Sequence, residues 1–235
     1  MTTKLLVITG ASKGIGLATA KLMQQQGWQV VNISRTAIPL EGATQICADL
    51  SSERWAVEIS EELCAIAACA DQIALVHCSA LLAKDTTKNL SAAALRDVME
   101  VNVIAPLQLN QLLLPHMKPG SSILYIGSTL SEKAVAGACS YVTSKHATVG
   151  LMRATCQDLA GSGIHTVCIC PGFTETEMLR AHVGNDDDIL ASIASGVTQG
   201  RLIQPAEMAR VIAFCADNPV MNGEVLHANL GQIES

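Results

Sequence analysis

Three polar side chains near the middle of the chain have the types and spacing to move a proton. Tyr141 and Lys145 stand four residues apart, so on a helix they share one face, a turn apart. An ammonium held there favours the phenolate and draws a tyrosine down from its usual pKa of about 10. A tyrosine tuned this way can give a proton to a carbonyl oxygen, or take one from an alcohol. Ser128 follows the apolar run Ile123-Leu124-Tyr125-Ile126, which reads as a strand. Its hydroxyl would emerge at the carboxyl end of that strand and could hydrogen-bond a substrate oxygen. A Tyr and a Lys at this spacing are common on helices and are usually structural; a second motif gives this pair its weight.

That motif is Thr9-Gly10-Ala11-Ser12-Lys13-Gly14-Ile15-Gly16, set between an apolar strand and a helix. Gly10 permits a sharp turn off the strand, Gly14 lets a diphosphate approach the backbone, and Gly16 allows helix and strand to pack closely. The helix then presents unpaired N–H groups and a partial positive charge to the anion. About 20 residues further on, such folds usually place an Asp or Glu to accept the ribose hydroxyls of NAD. This chain has Ile33-Ser34-Arg35-Thr36 there, with no acid. Arg35 can clamp a 2′-phosphate bidentately and Lys13 can add a second cation, so the expected cofactor is NADP(H), with NAD(H) possible. Both cations could instead be ordinary solvated charges. Asp49 could accept from an adenine amino group, or could cap a helix ahead of Ser51 and Ser52.

The elements that must position these groups alternate along the chain. Strands are expected at Leu5–Thr9, Gln29–Ile33, Gln45–Cys47, Ile73–His77, Ser122–Ile126, His165–Cys170 and Glu224–His227. Helices are expected at about 14–26, 52–69, 91–115, 141–160 and 205–216. Parallel strands need crossovers of this length, so the fold class is α/β: a single-domain, Rossmann-type, doubly wound parallel sheet of about seven strands with helices on both faces. No repeat or linker divides residues 1–235. The stretch 173–204 reads as a substrate-loop insertion over the carboxyl edge, with Asp186-Asp187-Asp188 suited to a helix N-terminus.

Composition closes off other functions. The chain has 235 residues, 49% hydrophobic and only 15% charged, with net charge −6, which excludes disorder and a basic nucleic-acid surface. Aromatics are 3%, too few for base-stacking platforms. The nine cysteines include no CxxC pair and no paired histidines, so no metal site is expected. No run approaches the ~18 apolar residues of a membrane span and no secretory leader is evident, so the expectation is a cytoplasmic protein with no membrane partner.

Taken together, these motifs resemble the short-chain dehydrogenase/reductase family, and most closely its 3-oxoacyl-carrier-protein-reductase-like branch. The resemblance runs nearly end to end. It covers the turn Thr9–Gly16, the pair Asp49-Leu50, Asn102 in Val101-Asn102-Val103, Ser128 thirteen residues before Tyr141, Pro171-Gly172-Phe173-Thr174-Glu175-Thr176, Gly200-Arg201-Leu202 before Pro205-Ala206-Glu207, and Asn222–His227. It implies that Asn102 holds a water beside Lys145 in a proton relay, a role compatible with a structural one in bracing a helix kink before Pro106, and that Lys145 also binds the nicotinamide ribose. It implies cofactor contacts from Ser12, Ile15, Leu50 and Ser79, and from Pro171, Gly172, Thr174 and Thr176 around the nicotinamide and phosphates. It further implies a homodimer or homotetramer packed through the helices near 91–115 and 141–160.

One motif departs. Where the family usually has Asn-Asn-Ala-Gly, this chain has His77-Cys78-Ser79-Ala80. His77 could serve as an acid or base but at a strand end reads first as a hydrogen-bonded structural residue, and Cys78 could be a reactive thiol but reads first as a small buried filler. The expected function is NADP(H)-dependent interconversion of a small-molecule carbonyl and its alcohol. The alternative is a nucleotide-binding sensor or interaction protein that kept the fold without turnover.

Overall fold

The computed structural model of the protein describes residues 2–233. Seven strands form one sheet: β1 (Lys4–Thr9), β2 (Gln29–Ser34), β3 (Thr44–Cys47), β4 (Gln72–His77), β5 (Ser122–Ile126), β6 (His165–Pro171) and β7 (Val225–Ala228). Their order is β3-β2-β1-β4-β5-β6-β7 and every pairing is parallel. The chain therefore leaves β1 toward one edge and returns through β4 toward the other. That reversal opens a crevice beyond the carboxyl ends of β1 and β4, where ligands bind in such sheets.

The strands are apolar on both faces because both faces are covered. Leu5, Val7, Val31, Ile33, Ile73, Leu75, Ile123 and Tyr125 point to one side. They meet α2 (Trp55–Ala67), α4 (Ala105–Leu113) and α5 (Cys139–Asp158). Leu6, Ile8, Val30, Ala74, Val76, Leu124, Ile126, Val167 and Ile169 point to the other, against α1 (Gly14–Gln25) and α8 (Pro205–Asp217). The period of two along each strand sorts these residues into two cores without exception among those named. Strand ends differ from the sequence expectation by a residue or so, and β7 begins one residue later.

One helix departs from expectation. The stretch 91–115 is not continuous: α3 (Ala92–Met99) runs into a π-helical segment at Glu100–Ile104, then α4, then a 3-10 turn at Leu114–His116. Pro106 explains the break. It has no N–H to bond the Asn102 carbonyl four residues back. Instead the Ala105 N–H reaches back five residues to Glu100, and the Asn102 carbonyl lies 3.5 Å from the Thr148 hydroxyl of α5. The widened turn buries Asn102.

The segment 173–204 contains two short helices, α6 (Glu177–Val183) and α7 (Asp187–Ser195). Asp186 caps α7, accepting the N–H groups of Asp188 and Ile189. A single parallel bridge, Thr174 to Ile203, ties the ends of the segment together.

Candidate active site

The glycine turn is built as the backbone demands. Gly10 has φ +71°, and a Cβ there would stand 2.7 Å from the Ser79 hydroxyl oxygen. A Cβ on Gly16 would stand 2.6 Å from the Gly10 main-chain oxygen, so α1 can lie this close to its own turn only without a side chain. The turn is braced from below by Asn32, fully buried in β2. Its side-chain oxygen accepts the Ala11 N–H at 2.9 Å, and its amide donates to Ser34 and Gln45. Thr9 closes the other side, its hydroxyl oxygen accepting the N–H groups of Cys78 and Ser79 at 3.0 and 2.9 Å.

Helix α1 starts without a side-chain cap and with no acid in its first turn. Lys13, its N-cap residue, is exposed, and Ser12 and Ile15 are half-buried beside it. An uncapped helix N-terminus beside two left-handed glycines is a fit cradle for a dinucleotide diphosphate. Opposite it, Thr176 caps α6 and its methyl lies 3.4 Å from where a Gly14 Cβ would stand. A cavity of about 360 Å³ lies between Gly14 and Glu175, Thr176, Glu177, Arg180 and Pro205. Glu177, exposed on α6, brings a carboxylate to 3.7 Å from that same Gly14 position, and Arg180 is held by Glu175 and Asp187. Thr174 is buried, its hydroxyl bonded to the Gly172 carbonyl just past Pro171, so the loop after β6 reaches the same edge.

Arg35, at the end of β2, is 74% exposed and stands 3.9 Å from the carboxylate of Asp49. Asp49 accepts the hydroxyl and the N–H of Ser51, which hold its carboxyl below the usual carboxylate range, with Arg35 adding to the effect. Asp49 thus caps a tight turn and not α2, whose N-cap is Arg54. Leu50 beside it is buried.

The candidate proton-transfer groups lie on α5 and just past the end of β5. Ser128 follows β5 through Gly127 and caps a 3-10 turn, accepting the Leu130 N–H at 3.1 Å while its own N–H bonds Ser131. Tyr141 lies in the first turn of α5, half-buried. Lys145 is buried one turn later, with its ammonium 5.4 Å from the Tyr141 ring centroid and donating to the Ile126 carbonyl at 2.7 Å. That carbonyl is two residues before Ser128, so the lysine ties the helix to the strand that carries the serine. Asn102 braces the whole. Its amide donates to Ser144 at 2.9 Å, between Tyr141 and Lys145 in the helix, and its side chain pairs with both main-chain groups of Leu81.

The departing motif is filled in a different way. His77 is buried, its Nε2 donating to Asn110 at 2.9 Å and its ring 4.9 Å from that of Tyr125. Asn110 in turn donates to the Tyr125 hydroxyl, which lies 3.2 Å from Thr155. Burial lowers the His77 pKa to about 4, against the upward pull of the Asn110 bond, so at neutral pH it is an uncharged brace. Burial also pushes the Cys78 thiol up to about 11, which leaves no thiolate at neutral pH. Asn32 and Asp85 were not found from sequence, and Thr9 was read only as the opening residue of the glycine turn, without its bracing role. Asn32 alone left a signal, a carboxamide in the otherwise apolar run Val30-Val31-Asn32-Ile33. No group of three or more metal-ligating side chains occurs among the described residues, and no described helix is long and apolar enough to cross a membrane.

Comparison with known proteins bears on this geometry. The family described as enoyl-(acyl carrier protein) reductase matches residues 10–232. A 3-oxoacyl-[acyl-carrier-protein] reductase of Vibrio cholerae is 28% identical over 97% of this chain and 96% of its own. An ipsdienol dehydrogenase of Ips pini is 28% identical over 92% of each. A solved structure described as a putative NAD(P)-dependent gluconate 5-dehydrogenase from Beutenbergia cavernae, with bound NADP at low occupancy, superposes with a TM-score of 0.89. It is 29% identical and covers 99% of this chain and 97% of that one.

Proposed function

The chain belongs to the short-chain dehydrogenase/reductase family of carbonyl/alcohol oxidoreductases, and from that premise we propose that it uses NADP(H), with Tyr141 as the acid/base. The pair Tyr141–Lys145 carries the reading, with its buried ammonium 5.4 Å from the ring and within a turn of the serine-bearing strand. A bound nicotinamide would supply or take the hydride. Tyr141 gives its phenolic proton to the carbonyl oxygen, or receives it from the alcohol. Ser128 holds that oxygen by its hydroxyl, and the Lys145 ammonium offsets the negative charge left on the phenolic oxygen. Asn102 keeps α5 in register through Ser144 and holds a water beside Lys145 that completes the proton relay.

The cofactor is held by Gly10, Ser12, Lys13, Gly14, Ile15 and Gly16 at the diphosphate and by Asp49, Leu50 and Ser79 at the adenosine. Tyr141 and Lys145 hold the nicotinamide ribose; Pro171, Gly172, Thr174 and Thr176 hold the nicotinamide end. Arg35 and Lys13 favour the 2′-phosphate, and Asp49 orients the Arg35 guanidinium from 3.9 Å. The exposed Ile104 and Leu107 beside α4 support a homodimer or homotetramer formed through α4 and α5. The names of the relatives above refer to a 3-oxoacyl-[acyl-carrier-protein], to ipsdienol and to gluconate, so the substrate is a small carbonyl or alcohol of a class the family leaves open.

The test is a fluorescence titration with NADPH and NADH, followed by a carbonyl screen. An enoyl thioester belongs in the screen because of the matching family's description. Arg35→Ala should weaken NADPH by roughly tenfold or more, the worth of a charged hydrogen bond, and leave NADH unchanged. Tyr141→Phe loses one hydroxyl contact to the ribose, so it should bind NADPH within about tenfold of the parent and turn over nothing. If neither nucleotide binds, the oxidoreductase reading is wrong for this chain, and of the alternatives only an interaction protein on this fold stands.

A further inference from the structure

The first turn of an α-helix carries N–H groups that no residue of the helix can accept. Helix α5 begins at Cys139, two residues before Tyr141, and its N-cap residue Ala138 makes no side-chain cap. The acceptor comes from far away in sequence. Asp85, in the loop after β4 and 55 residues upstream of Ser140, accepts the Ser140 N–H on one carboxylate oxygen at 2.9 Å and the Ser140 hydroxyl on the other. Main-chain bonds lock the pair. The Asp85 N–H donates to Gly137 at 3.1 Å and the Cys139 N–H donates to the Asp85 carbonyl at 3.3 Å, forming an isolated parallel bridge between Asp85 and Ala138. Asp85 is 8% exposed and Ser140 is fully buried. A carboxylate is costly to bury, and here its two oxygens are spent on one residue, the immediate neighbour of Tyr141.

The loop that carries Asp85 is fixed along its length. Thr9 holds Cys78 and Ser79, Asn102 holds Leu81, and Asp85 reaches α5. It runs from the glycine turn to the first turn of the helix that bears the proposed acid.

We infer that Asp85 is a positioning residue for Tyr141: its carboxylate sets the rotation and height of the first turn of α5, and so where the phenolic oxygen stands. The inference rests on Tyr141 being the acid/base. Asp85 acts through the helix and not on the reacting atoms. Without it, the N-terminal turn relies on a residue with no cap, and a shift of about 1 Å at a reacting group can cost on the order of a hundredfold in rate.

The test compares Asp85→Ala, Asp85→Asn and Ser140→Ala in the full-length protein. Asparagine keeps an acceptor for the Ser140 N–H and can donate its amide to the Ser140 hydroxyl, so it is the conservative rescue. Alanine should lower kcat by about 10- to 100-fold while KM and the NADPH dissociation constant stay within about threefold. Asparagine should recover kcat to within about fivefold, and Ser140→Ala, which deletes only the hydroxyl bond, should fall between. Amide exchange read by mass spectrometry should be about tenfold faster over residues 139–142 in Asp85→Ala and unchanged at α8. The inference is overturned if Asp85→Ala exchanges like the parent, if Asn is no better than Ala, or if the loss falls equally on cofactor affinity. If the parent turns over no carbonyl compound, the proposed activity has failed, and the exchange comparison still decides whether Asp85 holds this turn.

Discussion

Replacing His77 by asparagine should make the protein less sensitive to acid. The imidazole is buried with Nε2–H on Asn110 and with no protein partner for Nδ1, so a second proton would place an N–H where nothing accepts it. The folded pKa is lowered to about 4 from the 6.5 of a free histidine. The unfolded chain therefore takes the proton first. The stability held by neutral His77 is complete above pH 6.5 and drains away as pH falls from 6.5 through 4. Spread over the whole window, the loss is about 3 kcal/mol; at pH 5 about 2 kcal/mol of it has gone. Urea unfolding at about pH 7.5 and about pH 5 would read this directly in the parent and in His77→Asn. Asparagine forfeits the ring contact with Tyr125 and lowers the baseline, but only the pH difference within each protein matters. The drop in the parent should exceed the drop in the variant by about 2 kcal/mol. Equal drops would refute the argument and would mean that His77 is solvated or paired when protonated.

Two further substitutions test the glycine turn. Gly16→Ala gains roughly 1 kcal/mol of helix propensity but drives a methyl to 2.6 Å from the Gly10 oxygen, a backbone atom that cannot swing aside. Overpacking of about 1–3 kcal/mol should win, with a melting temperature lower by several degrees and weaker NADPH binding; a rise in melting temperature would contradict it. Asn32→Ala orphans the buried Ala11 N–H and should cost about 1–3 kcal/mol in urea unfolding. NADPH affinity should fall with it, and an unchanged titration curve would show that the turn stands without this brace.

Much of the architecture was legible because it is local. Continuous apolar runs such as Leu5–Ile8 mark strands buried on both faces, and helical spacing brings Tyr141 and Lys145 to one face. What could not be read depends on partners far along the chain. Helix α5 begins at Cys139 because Asp85 caps it, and no pattern near residue 139 announces a carboxylate from the loop after β4. The widened π turn itself was hidden, since no local pattern over 91–115 specifies it. Pro106 signals a kink, and its effect follows from one missing N–H opposite the Asn102 carbonyl.

The altered motif after β4 gave the strongest ground for reading this chain as a fold that had lost its chemistry. That ground weakens once the tasks at those positions are taken one by one. Tying the strand end to its neighbours passes to His77, whose bond to Asn110 extends through Tyr125 to Thr155 and so links β4, α4, β5 and α5. Anchoring the following backbone falls to Thr9, with a single hydroxyl accepting two successive N–H groups. Close approach to the glycine turn survives because Gly10 leaves room for the Ser79 hydroxyl at 2.7 Å from its absent Cβ. The bracing is redistributed and not lost, and its new bearer stays neutral in the folded protein down to about pH 4. A cofactor site drifting out of use would shed such contacts one at a time; here a buried network, open at the His77 Nδ1, has taken their place, and its pH signature at His77 makes that substitution measurable.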